Sequence, residues 1–342
     1  MPKASAKKGE YPISWQNHFY LFVRKLAVHP LVTFFVLFVF FVFINHISAW
    51  IDGGLPWGSF DVHQLSFQFW FLVVFIAGDY FLSLAQSTLK KFRPSLDVSD
   101  KEYASLTYRF VNIPAGHGLV IGLLALLAIP FILQLVEPYQ QKGLASIVLA
   151  ASGVFMFAMV FALFYFNFRA LRLTTKMYSM VSRVNIFNLE SLIAFSSFTS
   201  RVGIFAVFTS VLSYLSNVAI TERPQVSGFI FFGSLNLVIA IAAFLFPLLG
   251  FHERLQIEKE KAKAENNIRL ETAQYRLHRL VDREGKGIIE TKNAISGLLE
   301  LRHELERIST WPWNTATLTT FVSTLFLPLA IWLIQQLLSR LL

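Results

Sequence analysis

The chain lacks cysteine altogether, and it carries few charged residues for its length. The absence of cysteine excludes disulfides, cysteine-ligated metal sites and a thiol nucleophile. Only 15% of the 342 residues are charged, whereas a soluble domain usually carries about 25%. The hydrophobic share is 55%, and phenylalanine alone occurs 36 times. These apolar side chains exceed what one soluble core of this length needs, so the composition predicts an integral membrane protein.

Motifs of nucleotide-dependent and hydrolytic enzymes are also missing. The chain has no Walker A loop, no glycine-rich dinucleotide-binding turn, no HExxH helix and no GxSxG elbow. The spacing of the eight histidines does not match a metal or haem site. We therefore predict no cofactor, and the sequence does not favour an enzymatic activity.

Seven apolar segments have the length that a helix needs to cross a bilayer, about 20 residues. The segments are Leu31–Ile47, Phe67–Gln86, Gly118–Val136, Ala145–Phe168, Val202–Ile220, Gly228–Gly250 and Ala316–Leu338. The first is too long and unbroken for a cleaved signal peptide, so we expect it to remain as an anchor. The predicted fold class is an all-α, polytopic transmembrane helix bundle of about seven spans.

The distribution of lysine and arginine predicts the orientation of the spans. Of the 30 Lys and Arg residues, 27 fall in the N-terminal tail and in the second, fourth and sixth connections. The other side of the membrane receives only Lys142, Arg223 and Arg340. The positive-inside rule then predicts a cytoplasmic N-terminus and an outside C-terminus, in a plasma (inner) membrane. Because topology explains the net charge of +9, nucleic acid is not predicted as a partner.

The pattern divides the chain into four regions. Residues 1–30 form a cytosolic tail with an interfacial amphipathic helix, 31–250 a six-span bundle, 251–310 a cytosolic helical hairpin, and 311–342 a Trp-anchored seventh span. The apolar stripe of the interfacial helix consists of Trp15, Phe19, Phe22 and Leu26. A capping-box pattern at Ser99 and Glu102 predicts either a second surface helix or a loop packed on the bundle.

Residues 251–310 are the one sizeable soluble element in this prediction. A glycine-containing break separates two stretches rich in helix formers, which predicts an antiparallel, coiled-coil-like hairpin between the sixth and seventh spans. Its apolar positions can pair the two arms, or they can contact another subunit or a protein partner. The candidate contact residues are Leu270, Leu277, Leu280, Ile295, Leu298 and Leu305.

Within the predicted spans, Asp79 is the one ionisable acid or base other than histidine. A carboxylate is costly in lipid, so it should face the bundle or a water-filled cavity. Two interpretations remain: an ion or proton site, or a structural carboxyl hydrogen-bonded to a neighbouring helix. In the fifth span, Ser210, Ser213 and Asn217 share a helical face. Such a face suits a pore lining, and it also suits ordinary interhelical hydrogen bonding.

These features leave three functions open. The first is a membrane scaffold or assembly protein that forms homo-oligomers or binds a protein partner through residues 251–310. The second is an oligomeric channel or an ion- or proton-coupled transporter that uses Asp79 and the polar fifth span. The third is a membrane enzyme acting on lipid, which is the least favoured because no cluster of acids, bases or ligands gathers near one interface.

Overall fold

The computed structural model describes residues 12–130, 143–181, 189–220, 226–283 and 286–341. In these ranges the fold is all-helical, without a strand. The helices are α1 (Trp15–Lys25), α2 (Pro30–Ile51), α3 (Val62–Phe92), α4 (Asp100–Val111), α5 (Ala115–Leu127), α6 (Leu144–Ser179), α7 (Glu190–Ile220), α8 (Val226–Asp282), α9 (Ile288–Arg307), α10 (Thr315–Leu325) and α11 (Leu327–Leu341). A single 3₁₀ turn, Arg93–Ser95, follows α3.

In the described part of the chain, six helical segments are long and apolar enough to cross a membrane. They are α2, α3, α6, α7, α8 and the stretch Thr315–Ile334, which α10 and α11 form. These segments are consistent with a multi-pass membrane protein. The predicted span Gly118–Val136 coincides only in part with α5, a shorter apolar helix, and residues 131–142 lie outside the described chain. A seventh crossing therefore stays a prediction.

Short polar side chains begin several of the helices. Asp61 accepts a hydrogen bond from the backbone N–H of Gln64 at the start of α3 (2.7 Å). At α4, Ser99 accepts from Glu102 N, and the Glu102 carboxylate accepts from Ser99 N (2.9 Å). The capping box predicted from these two residues is therefore present. Such bonds satisfy N–H groups that have no acceptor within the first turn of the helix.

Aromatic rings fill the core between α2, α3 and α6. Phe41 of α2 stacks on Phe71 of α3 with ring centroids 4.3 Å apart, and the ring of Phe155 in α6 lies 5.7 Å from Phe41. Asp52, directly after α2, accepts a hydrogen bond from Ala145 N at the start of α6 (2.5 Å). The end of α2 and the beginning of α6 thus lie together. We call this end of the bundle the Asp52 end.

The opposite end of the bundle is the basic end, where the last turn of α3 carries Lys90 and Lys91 and Arg93 follows directly. The helix α8 passes through the bundle, contains Pro247 and continues beyond this end; its whole length of 57 residues corresponds to about 85 Å. The predicted domain boundary at residue 250 falls inside this helix. The sixth predicted span and the first arm of the predicted hairpin therefore belong to one helix.

The helix α9 runs back along α8. Asn266 Nδ2 of α8 donates a hydrogen bond to Leu298 O of α9 (3.0 Å). Nearer the bundle, Lys259 Nζ donates to Glu306 O (2.9 Å). Residue numbers rise along one helix as they fall along the other, so the two helices are antiparallel. The side chains on the facing surfaces hold them together.

Candidate functional site

Asp79 of α3 is paired with a cation from α1. Arg24 Nε lies 2.5 Å from Asp79 Oδ1. The same guanidinium donates through Nη2 to Asp79 O (2.9 Å) and to Ser83 Oγ (2.6 Å). The side chains of Arg24 and Asp79 are 25% and 22% exposed. The ion pair with Arg24 supports a structural role for Asp79. An ion or proton site at Asp79 stays a prediction.

A glycine immediately before Asp79 allows α1 to approach α3. The ring of Tyr20 occupies the space that a Cβ atom on Gly78 would need. Tyr20 Oη also donates a hydrogen bond to Val74 O on the previous turn of α3 (3.4 Å). Because Arg24 follows Tyr20 by one turn of α1, this close contact brings its guanidinium to the carboxylate.

The helix α1 turns polar side chains toward the bundle. Gln16, Asn17 and Tyr20 are buried. The predicted apolar stripe is divided between two environments. Its first members pack on core rings, whereas Phe22 and Leu26 are exposed. Burial of polar groups on α1 distinguishes it from a helix that only rests on a surface.

The ion pair lies near the level at which the apolar stretch of α2 begins. Phe71 faces Phe41, and Asp79 lies about 12 Å further along α3 toward the basic end. On α2, Pro30 lies about 16 Å from Phe41 in the same direction. Asp79 is therefore within about one helical turn of the first residue of α2. A charged group costs less at such a level than in the middle of a span.

The core beside Asp79 is closely packed. Two cavities lie next to the contact, one lined by Tyr20 and the other also by Arg24, and each has a volume of about 20 Å³. Such a volume holds about one water molecule. Between this region and the Asp52 end lie the stacked rings of Phe41, Phe71 and Phe155.

The predicted polar face of the fifth span is only partly inside the bundle. Ser210 of α7 is buried, and its hydroxyl has no hydrogen-bond partner among the described residues. Ser213 is exposed. The side chain of Asn217 lies outside the described residues. Elsewhere on α7, Ser196 and Thr199 donate to carbonyls of their own helix, which is the ordinary use of such hydroxyls.

Two buried amides near the Asp52 end were not singled out by the sequence analysis. Gln64 and Gln68 lie one turn apart on α3 and are 1% and 0% exposed. Neither side chain has a hydrogen-bond partner among the described residues. On α2, Asn45 accepts a hydrogen bond from Ser152 of α6 (3.3 Å). Amides spaced four residues apart inside an apolar run were the signal available in the sequence.

The six candidate contact residues of the hairpin lie along the pair of helices α8 and α9. Leu270 and Leu305 are buried. The other four are half-buried: Leu277, Leu280, Ile295 and Leu298. Leu270 lies one turn from Asn266, whose side chain bonds α9, so it shares the surface that faces α9.

A second row of apolar side chains on α8 is exposed, and we call it the α8 stripe. It consists of Ile257, Ala264, Ile268 and Tyr275, and the three larger residues are 60%, 63% and 65% exposed. At about 100° per residue, spacings of 7, 4 and 7 keep all four within an arc of about 40° around the helix. Asn266 lies on the opposite surface, where α9 packs. The 7-4-7 spacing is visible in the sequence, but only the packing of α9 shows that this row is left uncovered in one chain.

Among the described residues, no group of three or more His, Asp or Glu side chains is arranged to hold a metal ion. No family model matches the sequence, and comparisons with curated proteins and with solved structures found no match. The geometry of the chain's own residues is therefore the basis for a functional conclusion.

Proposed function

We propose that the protein is a membrane scaffold or assembly protein whose helices α8 and α9 bind a second copy of the chain or a protein partner. The observation that carries this proposal is the α8 stripe. A row of exposed apolar side chains on one helix face favours an interaction surface, because covering it removes apolar area from water. The proposed contact surface is therefore the α8 stripe, Ile257, Ala264, Ile268 and Tyr275, in place of the six residues that lie along the pair of helices α8 and α9.

The continuity of α8 makes the stripe suitable for assembly. The stripe runs from Ile257 to Tyr275, a rise of about 27 Å, and it begins shortly after the apolar stretch of the same helix. A contact made on it is transmitted to the bundle without an intervening loop. The antiparallel α9 stiffens the element from the opposite surface through the bonds of Asn266 and Lys259.

The proposal includes an orientation, with the basic end and the α8 stripe in the cytoplasm. It rests on the positive-inside rule applied to the lysines and arginines of this end. Because the chain has no cysteine, a single cysteine at Asn267 or at Gly58 is the sole thiol in each variant. A membrane-impermeant maleimide added to intact cells should label the cysteine at position 58 and leave the one at 267 unlabelled. The reverse pattern would overturn the orientation.

Disulfide crosslinking in native membranes tests self-association. Copies in one membrane share an orientation, so a two-fold axis along the membrane normal brings each stripe residue near its own counterpart. Ile268→Cys should give a crosslinked dimer on mild oxidation. Asn267→Cys is the matched control, because this exposed residue is adjacent in sequence but about 100° away around the helix.

The two variants separate the outcomes. Equal crosslinking at 267 and 268 would mean random collision rather than a defined surface. If neither position crosslinks, a protein partner is tested by comparing the complex size of Ile268→Asp with that of Asn267→Asp in a native gel. A complex that is unchanged by both substitutions would remove the α8 stripe from the proposal.

A channel or transporter is the second candidate function. The observation that favours it is the set of buried polar groups without described partners: Gln64, Gln68 and Ser210. The close packing beside Asp79 argues against it. Ion and proton flux into liposomes containing the purified protein is the direct test. Flux that Asp79→Asn or Gln68→Leu abolishes, with the fold intact, would favour transport over scaffolding.

A further inference from the structure

A cavity of about 490 Å³ with polar and apolar walls opens at the basic end between three helices. Its wall includes Lys91 near the end of α3, Ser191 and Ser197 in the first turns of α7, and Asn314 and Thr317 at the start of α10. No acidic side chain is among its described lining residues. Lys91 is the one charged side chain among the described lining residues, which also include the apolar Pro94, Ile193 and Ala194.

A second cation lies one helical turn beyond Ser197. Arg201 of α7 is exposed, and its guanidinium lies over the ring of Tyr80 on α3, 5.9 Å from the ring centroid. Among the described residues, no carboxylate forms an ion pair with Lys91 or Arg201. Arg24 differs from them, because Asp79 forms an ion pair with it.

Two helices begin at this cavity. The N–H groups in the first turn of a helix have no acceptor within that helix and carry partial positive charge, so a helix N-terminus attracts anions. Asn314 Oδ1 satisfies only Thr317 N at the start of α10 (2.7 Å). The cavity thus combines a lysine, hydroxyl groups and the N-terminal ends of two long apolar segments.

The level of the cavity matches that of a lipid headgroup. The apolar stretch of α8 ends near Phe251, whose ring stacks on Tyr178 (4.2 Å), and Tyr178 in turn contacts Phe92, the neighbour of Lys91. Before α10, Trp311 stacks on Trp313 (4.3 Å). Tryptophan pairs of this kind are typical of the headgroup layer. Basic pockets between membrane helices at the cytoplasmic side are known to bind phospholipid headgroups.

We propose that this cavity binds a phosphate group, supplied either by an anionic phospholipid headgroup or by soluble phosphate. Lys91 neutralises the phosphate charge, and the hydroxyls of Ser197 and Thr317 donate to its oxygens. Arg201 does not line the cavity, and its partner Tyr80 lies about 16 Å from Lys91 along α3, so Arg201 is not part of this site. This site is independent of the α8 stripe, so either proposal can fail without the other.

Native mass spectrometry of the full chain in detergent tests the site. Phosphatidylglycerol, phosphatidylcholine and inorganic phosphate are titrated separately, so that the mass of the adduct identifies the source of the phosphate. Lys91→Gln should weaken phosphatidylglycerol binding about fivefold, the contribution expected of one lysine near a membrane surface. Lys90→Gln is the matched control, because this neighbouring residue does not line the cavity, and it should change binding less than twofold.

A second variant tests the cavity without changing charge. Ser197→Leu fills the space with apolar atoms and should also weaken binding about fivefold or more, with an unchanged melting temperature. Tight binding of phosphatidylglycerol alone identifies a lipid site, and binding of inorganic phosphate alone identifies a soluble anion site. Equal affinity for phosphatidylglycerol and phosphatidylcholine, equal effects of the two lysine variants, or the absence of both lipid and phosphate adducts would overturn the proposal.

Discussion

Replacing Arg24 with glutamine is expected to destabilise the bundle by leaving the Asp79 carboxylate without its cation. The native guanidinium makes three contacts, with Asp79 Oδ1 (2.5 Å), Asp79 O (2.9 Å) and Ser83 Oγ (2.6 Å). Glutamine is shorter and neutral, so it cannot reproduce the ion pair. The change also loosens the attachment of α1 to α3, which depends on this residue and on Tyr20.

The magnitude follows from the partial burial of the pair. Removing one member of a fully buried pair costs about 3–5 kcal/mol, whereas an exposed pair contributes about 0–1 kcal/mol. The two side chains are 25% and 22% exposed, so we expect an intermediate loss of about 2 kcal/mol for Arg24→Gln. Asp79→Asn keeps the shape and one acceptor and should cost about 1 kcal/mol. The double variant should lose about 2 kcal/mol, which leaves a coupling of about 1 kcal/mol.

A double-mutant cycle measures this coupling by equilibrium unfolding in mixed micelles, followed by circular dichroism. The matched control is the pair Arg93 and Asp100, which are 2.8 Å apart but of which Asp100 is 96% exposed. Its coupling should stay below about 0.5 kcal/mol. Additive losses at Arg24 and Asp79 would refute the structural role of the pair. Flux through liposomes that depends on Asp79, without a change in stability, would instead identify an ion or proton site.

Two further predictions concern local geometry. Gly78→Ala should destabilise the protein by about 1–3 kcal/mol, because the new methyl group meets the ring of Tyr20. Gly122→Ala, where the nearest atom is 3.8 Å away, should be neutral in the same melting experiment; equal losses at both glycines would contradict the close contact. Hydrogen bonds from the backbone and side chain of Ser99 lower the pKa of the Glu102 carboxyl. The ionised carboxylate therefore stabilises α4 fully at pH values above the pKa that Glu102 has in the unfolded chain. The stabilisation is lost as the pH falls through the lowered folded pKa, and hydrogen exchange of α4, corrected for intrinsic rates, should show the loss. Ser99→Ala removes the side-chain hydrogen bond but keeps the backbone N–H, so it should reduce this pH dependence, and a profile that the substitution leaves unchanged would contradict the role of the side chain.

Local sequence patterns were sufficient for much of the helical architecture. Long apolar runs predicted the segments that α2, α3, α6, α7 and α8 now contain, because a helix in lipid must satisfy its backbone internally over a fixed length. The capping box of Ser99 and Glu102 was also predictable, since both groups belong to one helical turn. The helix α8 was divided at residue 250 in the prediction because composition changes there. Backbone hydrogen bonding does not depend on that change and continues through it.

The sites were decided by tertiary contacts that no local pattern encodes. Arg24 is 55 residues away from Asp79, and it arrives there only because Gly78 lets Tyr20 approach α3. The sequence shows two apolar rows on α8, but it does not say which one α9 covers. That choice depends on the direction in which the chain turns back, and it leaves Ile268 exposed while Leu270 is buried. The cavity at Lys91 likewise exists only where the ends of three helices meet. Sequence alone thus determined what each helix is, whereas packing determined which residues are free to bind.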